Sequence, residues 1–154
     1  MIVAHTLLIK RPIEDVFAAA TNLPLSVAWR SAICGAFQTS AGPLGVGATF
    51  SQEVEIMGTR RTNTAIVTKF DPPYCFAYEL VAGFVHHATR FTLEPERDGT
   101  RFTMTVEGET VPVWLKLMRE ALMLRWAQNT VAQEMETFKA LIESGAHQVE
   151  PVAV

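Results

Sequence analysis

The sequence predicts an α+β domain in which helices cover one face of an antiparallel sheet. Three observations predict this class. The middle of the chain, beginning at Thr49, alternates polar and apolar residues between turn signals, as half-buried antiparallel strands do. A long segment with helical apolar spacing follows these strands, and two short helix signals precede them.

One strand and two short helices are predicted before the alternating region. The apolar stretch MIVAHTLLIK predicts the first strand. RPIEDVFAAATN, with a proline near its first turn, predicts a short helix. A second helix is expected to begin around Pro24 and to carry Trp29. Six more strands and one long helix complete the predicted order.

Three turn signals predict how the strands pair. Gly58-Thr59, Gly83-Phe84 and Asp98-Gly99 are residue pairs typical of two-residue hairpin loops. If each pair forms such a loop, the residues that face each other follow by counting outward from it. The predicted pairs are Ile56 with Arg61, Val54 with Asn63, Gln52 with Ala65, Phe50 with Val67, Leu80 with His87, Tyr78 with Thr89, Phe76 with Phe91, Leu93 with Met104, Phe91 with Val106, and Thr89 with Gly108.

This pairing divides the sheet into a core face and a water face. The core face is expected to collect Phe50, Val54, Ile56, Val67, Phe76, Tyr78, Leu80, Phe91, Leu93, Phe102, Met104 and Val106. The water face is mostly threonine, arginine and glutamate, so the carboxylates of Glu53, Glu55, Glu107 and Glu109 are interpreted as a solvated surface. In the segment FVHHATRF, His86 and Arg90 fall on the water face, and His87 falls on the core face.

The last third of the chain predicts one long helix that lies on the sheet. It is expected to run from Val111 to Ser144, starting near Pro112 and ending before Gly145. Its apolar residues recur at steps of three and four and form a stripe. The stripe consists of Leu115, Met118, Leu122, Trp126, Met135, Phe138 and Ile142.

Length and composition favour one domain, residues 1–144, with a flexible tail at 145–154. A net charge of −3 provides no basic surface for nucleic acid. The apolar stretches are too short to cross a bilayer, and the start of the chain does not resemble an export signal, so a cytoplasmic protein without stable membrane insertion is expected. Cys34 and Cys75 are expected to be buried free thiols, and no metal-ligand spacing occurs.

Five polar residues on the predicted core face indicate a ligand pocket. They occupy adjacent cross-strand rows beside the small residues Ala65 and Gly108, and they are Gln52, Asn63, Tyr78, His87 and Thr89. A buried polar group without a partner costs about 1–3 kcal/mol, so these groups need one another, water or a ligand. His87 is a candidate proton donor or acceptor for catalysis with Tyr78 beside it, although orienting a ligand is favoured.

Further candidates lie around this pocket. Arg61 points inward by parity but sits beside a turn, where reaching to water and binding a ligand carboxylate are equally favoured. Trp29, Trp114 and Met118 are candidate ligand contacts, with ordinary core packing as the alternative. Asn129 has even odds of facing the cavity or solvent. The glycine-rich loop from Gly42 to Gly47 lacks the pattern of a phosphate loop, and a lid is a hypothesis for it.

Several segments together resemble the START-like (SRPBCC) superfamily, especially its polyketide cyclase/dehydrase and lipid-transport branch. They are KRPIEDVFAAATN, the Trp29 segment, GPLGVGATF, TKFDPPYCFAYEL, RFTLEPERDGTRFTMTV and the closing FKALIES. The resemblance implies a helix-grip fold, in which a curved seven-stranded antiparallel sheet wraps around a long C-terminal helix, with a cavity between them. It further implies binding of sterols, lipids, polyketides, quinones or plant hormones, mostly without a metal, and catalysis of cyclisation or dehydration in a minority of members.

The residues and the resemblance together favour a carrier or sensor of a hydrophobic, partly oxygenated small molecule, such as a polyketide, lipid or quinone. One alternative is a cofactor-free cyclase or dehydratase that uses His87 and Tyr78. A second alternative is a protein-interaction module similar to START-like co-chaperones. No cofactor is expected, and the protein is expected to be a monomer or a weak homodimer.

Overall fold

The structure, a computed structural model, describes residues 1–56, 58–83, 86–108 and 113–145, and for residues 56 and 113–120 it describes the backbone alone. Phe84, Glu109, Val111, Pro112 and the tail after residue 145 lie outside this description. The elements are β1 (Ile2–Ile9), α1 (Ile13–Ala20), a 3₁₀-helix (Pro24–Ala28), β2 (Ile33–Gln38), β3 (Thr49–Ile56), β4 (Thr59–Asp71), β5 (Cys75–Ala82), β6 (His87–Glu96), β7 (Gly99–Gly108) and α2 (Val113–Glu143).

All seven strands form one antiparallel sheet in the order β1-β7-β6-β5-β4-β3-β2. Strands β2 to β7 each lie beside their sequence neighbour, while β1 pairs with β7 along its whole length, from Ile2 opposite Glu107 to Ile9 opposite Thr100. The sheet curls, and the C-terminal part of α2 packs on its inner face. This arrangement confirms the predicted α+β helix-grip fold with two short helices after the first strand.

The predicted register is confirmed for one hairpin and wrong by two residues for the other two. Between β5 and β6, Tyr78 pairs with Thr89 as predicted. Between β3 and β4, Gln52 pairs with Asn63 instead of Ala65. Between β6 and β7, Thr89 pairs with Val106 instead of Gly108.

Both errors arise because the loops begin one residue earlier than the glycine signals indicate. Ile56 pairs with Thr59, and Glu96 pairs with Gly99, so Gly99 belongs to β7 and not to the loop. Gly99 is needed for another reason. A Cβ at this position would collide with the carbonyl oxygen of Ile9, so only glycine permits β1 to end this close to β7.

The two faces of the sheet follow the prediction despite the register shifts, because a shift of two residues preserves the alternation of side chains. The buried residues of the core face are Phe50, Val54, Val67, Phe76, Tyr78, Leu80, Phe91, Leu93, Phe102 and Met104. A bulge in β4 between Val67 and Lys69 changes the alternation, and beyond it Phe70 packs against the core.

Among the described side chains of α2, at residues 121–143, the buried ones lie in the C-terminal half of the helix. Met135, Phe138 and Ile142 are fully buried, as predicted from the apolar stripe. Leu122 and Trp126, predicted to lie in the same stripe, are 69% and 68% exposed. The observed stripe instead runs through Leu124, Ala127, Val131 and Met135 at steps of three and four, so Leu122 and Trp126 lie outside it.

Arg11, directly after β1, fixes the C-terminal end of α2. Its guanidinium donates to the carbonyl oxygens of Glu143 at 2.7 Å and of Ile142 at 3.3 Å. A cation bound to the last carbonyl groups of a helix stabilises that end of the helix. The start of the chain therefore anchors the buried half of α2.

The two cysteines differ in burial. Cys75 is buried, as predicted, but Cys34 is half-buried. The thiol of Cys34 donates to the backbone carbonyl of Glu53 on the neighbouring strand at 3.3 Å. Both thiols are free.

Candidate functional site

Gln52, an inward polar side chain of the sheet, and Arg30 meet at the hydroxyl group of Tyr78. Tyr78 lies on β5 and points to the core together with Phe76 and Leu80, because alternate residues of a strand share a face. Nε2 of Gln52, on β3, donates to the Tyr78 hydroxyl oxygen at 3.3 Å. Nη1 of Arg30, after the 3₁₀-helix, donates to the same oxygen at 3.2 Å. Two predicted pocket residues are thus in direct contact, and an arginine joins them.

Arg30 also forms a buried ion pair with α2. Its Nε lies 2.7 Å from Oε2 of Glu134, and the two side chains are only 11% and 8% exposed. The other carboxylate oxygen, Oε1, accepts hydrogen bonds from the backbone N–H of Ser31 at 3.2 Å and from its hydroxyl at 2.9 Å. The carboxylate therefore binds the segment after the 3₁₀-helix at three points.

Arg30 stays charged in this environment. Burial, the largest single influence, lowers the pKa of its guanidinium, but interactions with Tyr78 and Glu134 outweigh burial and raise the pKa above its usual value. The buried cation and the Glu134 carboxylate balance each other. The site thus presents strong N–H donors without a net charge from this pair.

His87 is held in the neutral form at the edge of the same face. It begins β6, pairs with Gly108 and is half-buried. Burial lowers the pKa of its imidazole, the positive charge of Arg30 lowers it further, and His86 adds a smaller effect, so that the pKa is about 4. At neutral pH this ring has one nitrogen that accepts a hydrogen bond and one that donates.

A small cavity lies between the 3₁₀-helix and the sheet. Its polar lining includes Trp29, Arg30, Gln52 and Tyr78, and its volume is about 20 Å³. That volume holds about one water molecule, far less than the 300–1,000 Å³ of a typical small-molecule pocket. The small side chain of Ala65 was predicted to leave space for a ligand, but the buried side chain of Leu80 lies opposite it.

Two buried polar groups near this cavity have neither a hydrogen-bond partner nor an ion pair among the described residues. They are the indole Nε1 of Trp29 and the hydroxyl of Thr89, and these two residues are 4% and 1% exposed. Thr89 lies between His87 and Phe91 on the core face of β6, and the ring of Phe91 is 5.8 Å from the Trp29 ring. The orphaned groups therefore belong to one region of the interior.

The remaining candidate residues have different positions. Asn63 is buried on β4 opposite Gln52, as a pocket residue should be. Arg61 and Asn129 are exposed to solvent, which favours the reading that each of them meets water. The side chains of Trp114 and Met118 lie outside the described residues. In the loop from Gly42 to Gly47, Leu44 is the one apolar side chain that packs against the core. The role of this loop as a lid stays a hypothesis.

Arg30 and Glu134 are absent from the sequence-based set of site residues. Each occurs in a segment where a charged residue normally meets water, and they are 104 positions apart in the chain. Glu134 follows the helical spacing that also buries Val131 and Phe138, so its position on the buried side of α2 was the available signal. The loop conformation that brings Arg30 to Glu134 leaves no comparable pattern.

Residues 2–143 of the chain match a family model described as "Polyketide cyclase / dehydrase and lipid transport". The chain belongs to this family. No match is found among the curated proteins.

Solved structures share the fold of this family member at low sequence identity. The protein TTHA0849 from Thermus thermophilus is 17% identical, with a TM-score of 0.77, over 95% of this chain and 99% of that one. A START superfamily protein from Mycobacterium smegmatis is 16% identical, with a TM-score of 0.69, over 96% and 98%. The Zhui aromatase/cyclase from Streptomyces sp. R1128 is 15% identical, with a TM-score of 0.72, over 99% of each chain.

Two further observations concern the described residues of this polyketide cyclase/dehydrase and lipid-transport family member. Within the described residues, no group of three or more histidine, cysteine, aspartate or glutamate side chains is arranged to hold a metal ion. In the same part of the chain, no helix has the length and apolar character needed to span a membrane.

Proposed function

We propose that this protein binds a mostly apolar, partly oxygenated small molecule between the core face of the sheet and the first half of α2, as a carrier or sensor. The observation that carries the proposal is the buried Thr89 hydroxyl without a partner among the described residues. Such a group costs about 1–3 kcal/mol, and a ligand that supplies a partner recovers part of this cost. The site residues we propose are Gln52, Asn63, Tyr78, His87 and Thr89.

The state of His87 favours binding over catalysis. A general base works best when its pKa lies near the operating pH. With a pKa of about 4, the imidazole of His87 is a weak base, but it can still donate or accept a hydrogen bond. We therefore assign His87 to orientation of the ligand rather than to proton transfer.

The ligand requires that the interior opens beyond the cavity of about 20 Å³. We assign this movement to the first half of α2, because Leu122, Met123 and Trp126 are exposed and Leu124 and Ala127 are only partly buried against the core. The sheet and the C-terminal half of α2, which are tightly packed, would stay fixed.

Native mass spectrometry of the protein purified from its own host tests the proposal. A second test titrates the protein with a long-chain fatty acid, a naphthoquinone and a hydroxylated anthraquinone, and detects binding by the change in tryptophan fluorescence. We expect a copurified small molecule or saturable binding of at least one probe. Thr89→Val, which removes the hydroxyl and preserves the shape, should weaken binding by about fivefold, since one hydrogen bond contributes about 1 kcal/mol.

Thr105→Val is the matched control, because Thr105 lies on the water face of β7 opposite Arg90. It should leave affinity unchanged. If no adduct is found and none of the three probes binds, the proposed function is wrong. If a bound polyketide or enone is converted, and His87→Ala abolishes conversion while affinity is retained, the enzyme alternative replaces the carrier.

A further inference from the structure

We propose that the small cavity beside Tyr78 binds a single neutral carbonyl oxygen of the ligand. This inference rests on the proposed function and specifies the chemistry of the ligand's inner end. The cavity, of about 20 Å³, accommodates about one oxygen-sized group. It lies between the 3₁₀-helix and the sheet, so this oxygen would be the most deeply buried atom of the ligand.

The Tyr78 hydroxyl has a hydrogen to donate. Both described bonds to its oxygen come from N–H donors, Nη1 of Arg30 and Nε2 of Gln52. Two accepted bonds use the two lone pairs of a phenolic oxygen, and the hydroxyl hydrogen is left for a third partner. A hydroxyl that accepts a bond from a charged guanidinium is also a stronger donor, because hydrogen bonds in a chain polarise one another.

Trp29 supplies the second donor. Its indole lines the same cavity and is almost completely buried. Indole Nε1–H is only a donor, and it has no acceptor among the described residues. A carbonyl oxygen has two lone pairs and can accept from both Trp29 and Tyr78, which makes the group and the site complementary.

The charge of the site selects a neutral oxygen over a carboxylate. Arg30 is the nearby cation, but its charge is already paired with Glu134 at 2.7 Å. A ligand carboxylate would therefore enter without a free counter-charge, and burial of an uncompensated charge is strongly unfavourable. A ketone oxygen accepts the same hydrogen bonds without this cost.

Three probes with one bicyclic skeleton test the inference: tetralin, α-tetralone and tetralin carboxylate. Calorimetric titration of the whole protein should show α-tetralone binding about tenfold more tightly than tetralin, and the carboxylate binding more weakly than either. Tyr78→Phe and Trp29→Phe should each reduce the ratio of α-tetralone affinity to tetralin affinity about threefold or more. The controls are Tyr74→Phe and Trp126→Phe, since Tyr74 and Trp126 are 50% and 68% exposed.

Infrared spectroscopy of bound α-tetralone provides a second measurement. Its carbonyl stretching band should lie at lower wavenumber than in an apolar solvent, and it should move back in Tyr78→Phe. If either Tyr78→Phe or Trp29→Phe does not fold, the ketone preference of the other variant tests the inference.

The outcomes separate the two proposals. Equal affinity for tetralin and α-tetralone, or an unshifted carbonyl band, overturns the carbonyl site but leaves the proposed function standing. Tightest binding of the carboxylate also overturns the carbonyl site. If neither tetralin nor α-tetralone binds, the carbonyl site is overturned, and the proposed function is decided by the copurified molecule and by the fatty acid and quinone titrations.

Discussion

His87 is a half-buried imidazole with a pKa of about 4, so the free energy of unfolding should depend on pH through this residue. In the unfolded chain its pKa is about 6.5. Between pH 6.5 and 4 the unfolded state binds more protons than the folded state, so stability falls as the pH falls through this window and is constant with respect to His87 above it. The contribution is at most about 3 kcal/mol, since one pKa unit corresponds to about 1.4 kcal/mol.

Denaturant titrations at a series of pH values measure this dependence. His87→Gln should lose less stability than the unchanged protein between pH 6.5 and 4. His86→Gln is the control and should keep most of the dependence, because burial and Arg30 are the larger causes of the His87 pKa. An NMR titration that finds the His87 pKa near 6.5 would contradict the prediction.

Gly99 makes a second prediction about a single residue. Gly99→Ala should lower the free energy of unfolding by about 1–3 kcal/mol, because the new methyl group would collide with the carbonyl oxygen of Ile9. Gly45→Ala is the control, since a Cβ at Gly45 meets nothing within 4 Å. Thermal or urea unfolding of the two variants measures the difference, and equal stabilities would show that β1 and β7 do not approach this closely.

At the scale of elements, the Arg30–Glu134 pair connects the segment after the 3₁₀-helix to α2. Glu134→Gln leaves the buried guanidinium without its counter-charge and should destabilise the protein by about 3–5 kcal/mol. The double variant Arg30→Met with Glu134→Met should recover much of this loss, because apolar residues of similar volume can replace a buried pair.

The matched control for this pair is the ion pair of Arg101 with Glu96 on the sheet surface, 2.6 Å long and 54% and 33% exposed. Glu96→Gln should cost no more than about 1 kcal/mol, because exposed pairs contribute little. Chemical unfolding of the variants provides the comparison. If Glu134→Gln is as mild as Glu96→Gln, the buried pair does not hold the two elements together.

The two halves of α2 should differ in stability. Phe138 is fully buried and packs against Trp29, with the two tilted rings 4.5 Å apart between centroids, so Phe138→Ala should lower the free energy of unfolding by about 3–5 kcal/mol. Leu122→Ala, at a position 69% exposed, should change stability by less than about 0.5 kcal/mol. Hydrogen exchange should also be slower for amides of residues 131–142 than for those of 121–128, and equal exchange would contradict this division.

At the scale of the whole molecule, the sequence predicts the faces of the sheet more reliably than its register. Successive side chains of a strand point to opposite faces of the sheet, so a register error of two residues leaves each side chain assigned to the correct face. The exact pairing depends on which residues form each loop. The glycine at position 99, which serves close packing against Ile9, is indistinguishable in the sequence from a loop glycine.

The candidate site is predictable only in part for a related reason. Gln52, Asn63, Tyr78 and Thr89 lie on regular strands, where alternation reveals which residues point inward. Arg30 lies outside any strand or helix, and its burial depends on a carboxylate 104 positions away in the chain. Such a contact exists only after the fold has formed.

The pairing of β1 with β7 has a consequence for protein synthesis. Ile2 is translated more than one hundred residues before its partner Glu107. Until β7 has been translated, β1 has no neighbouring strand in the sheet, and its apolar side chains are exposed unless another protein covers them. We expect a nascent chain truncated before Gly99 to bind chaperones through its amino-terminal segment, and crosslinking from Leu7 to a chaperone that does not diminish once β7 has emerged would contradict this order of assembly.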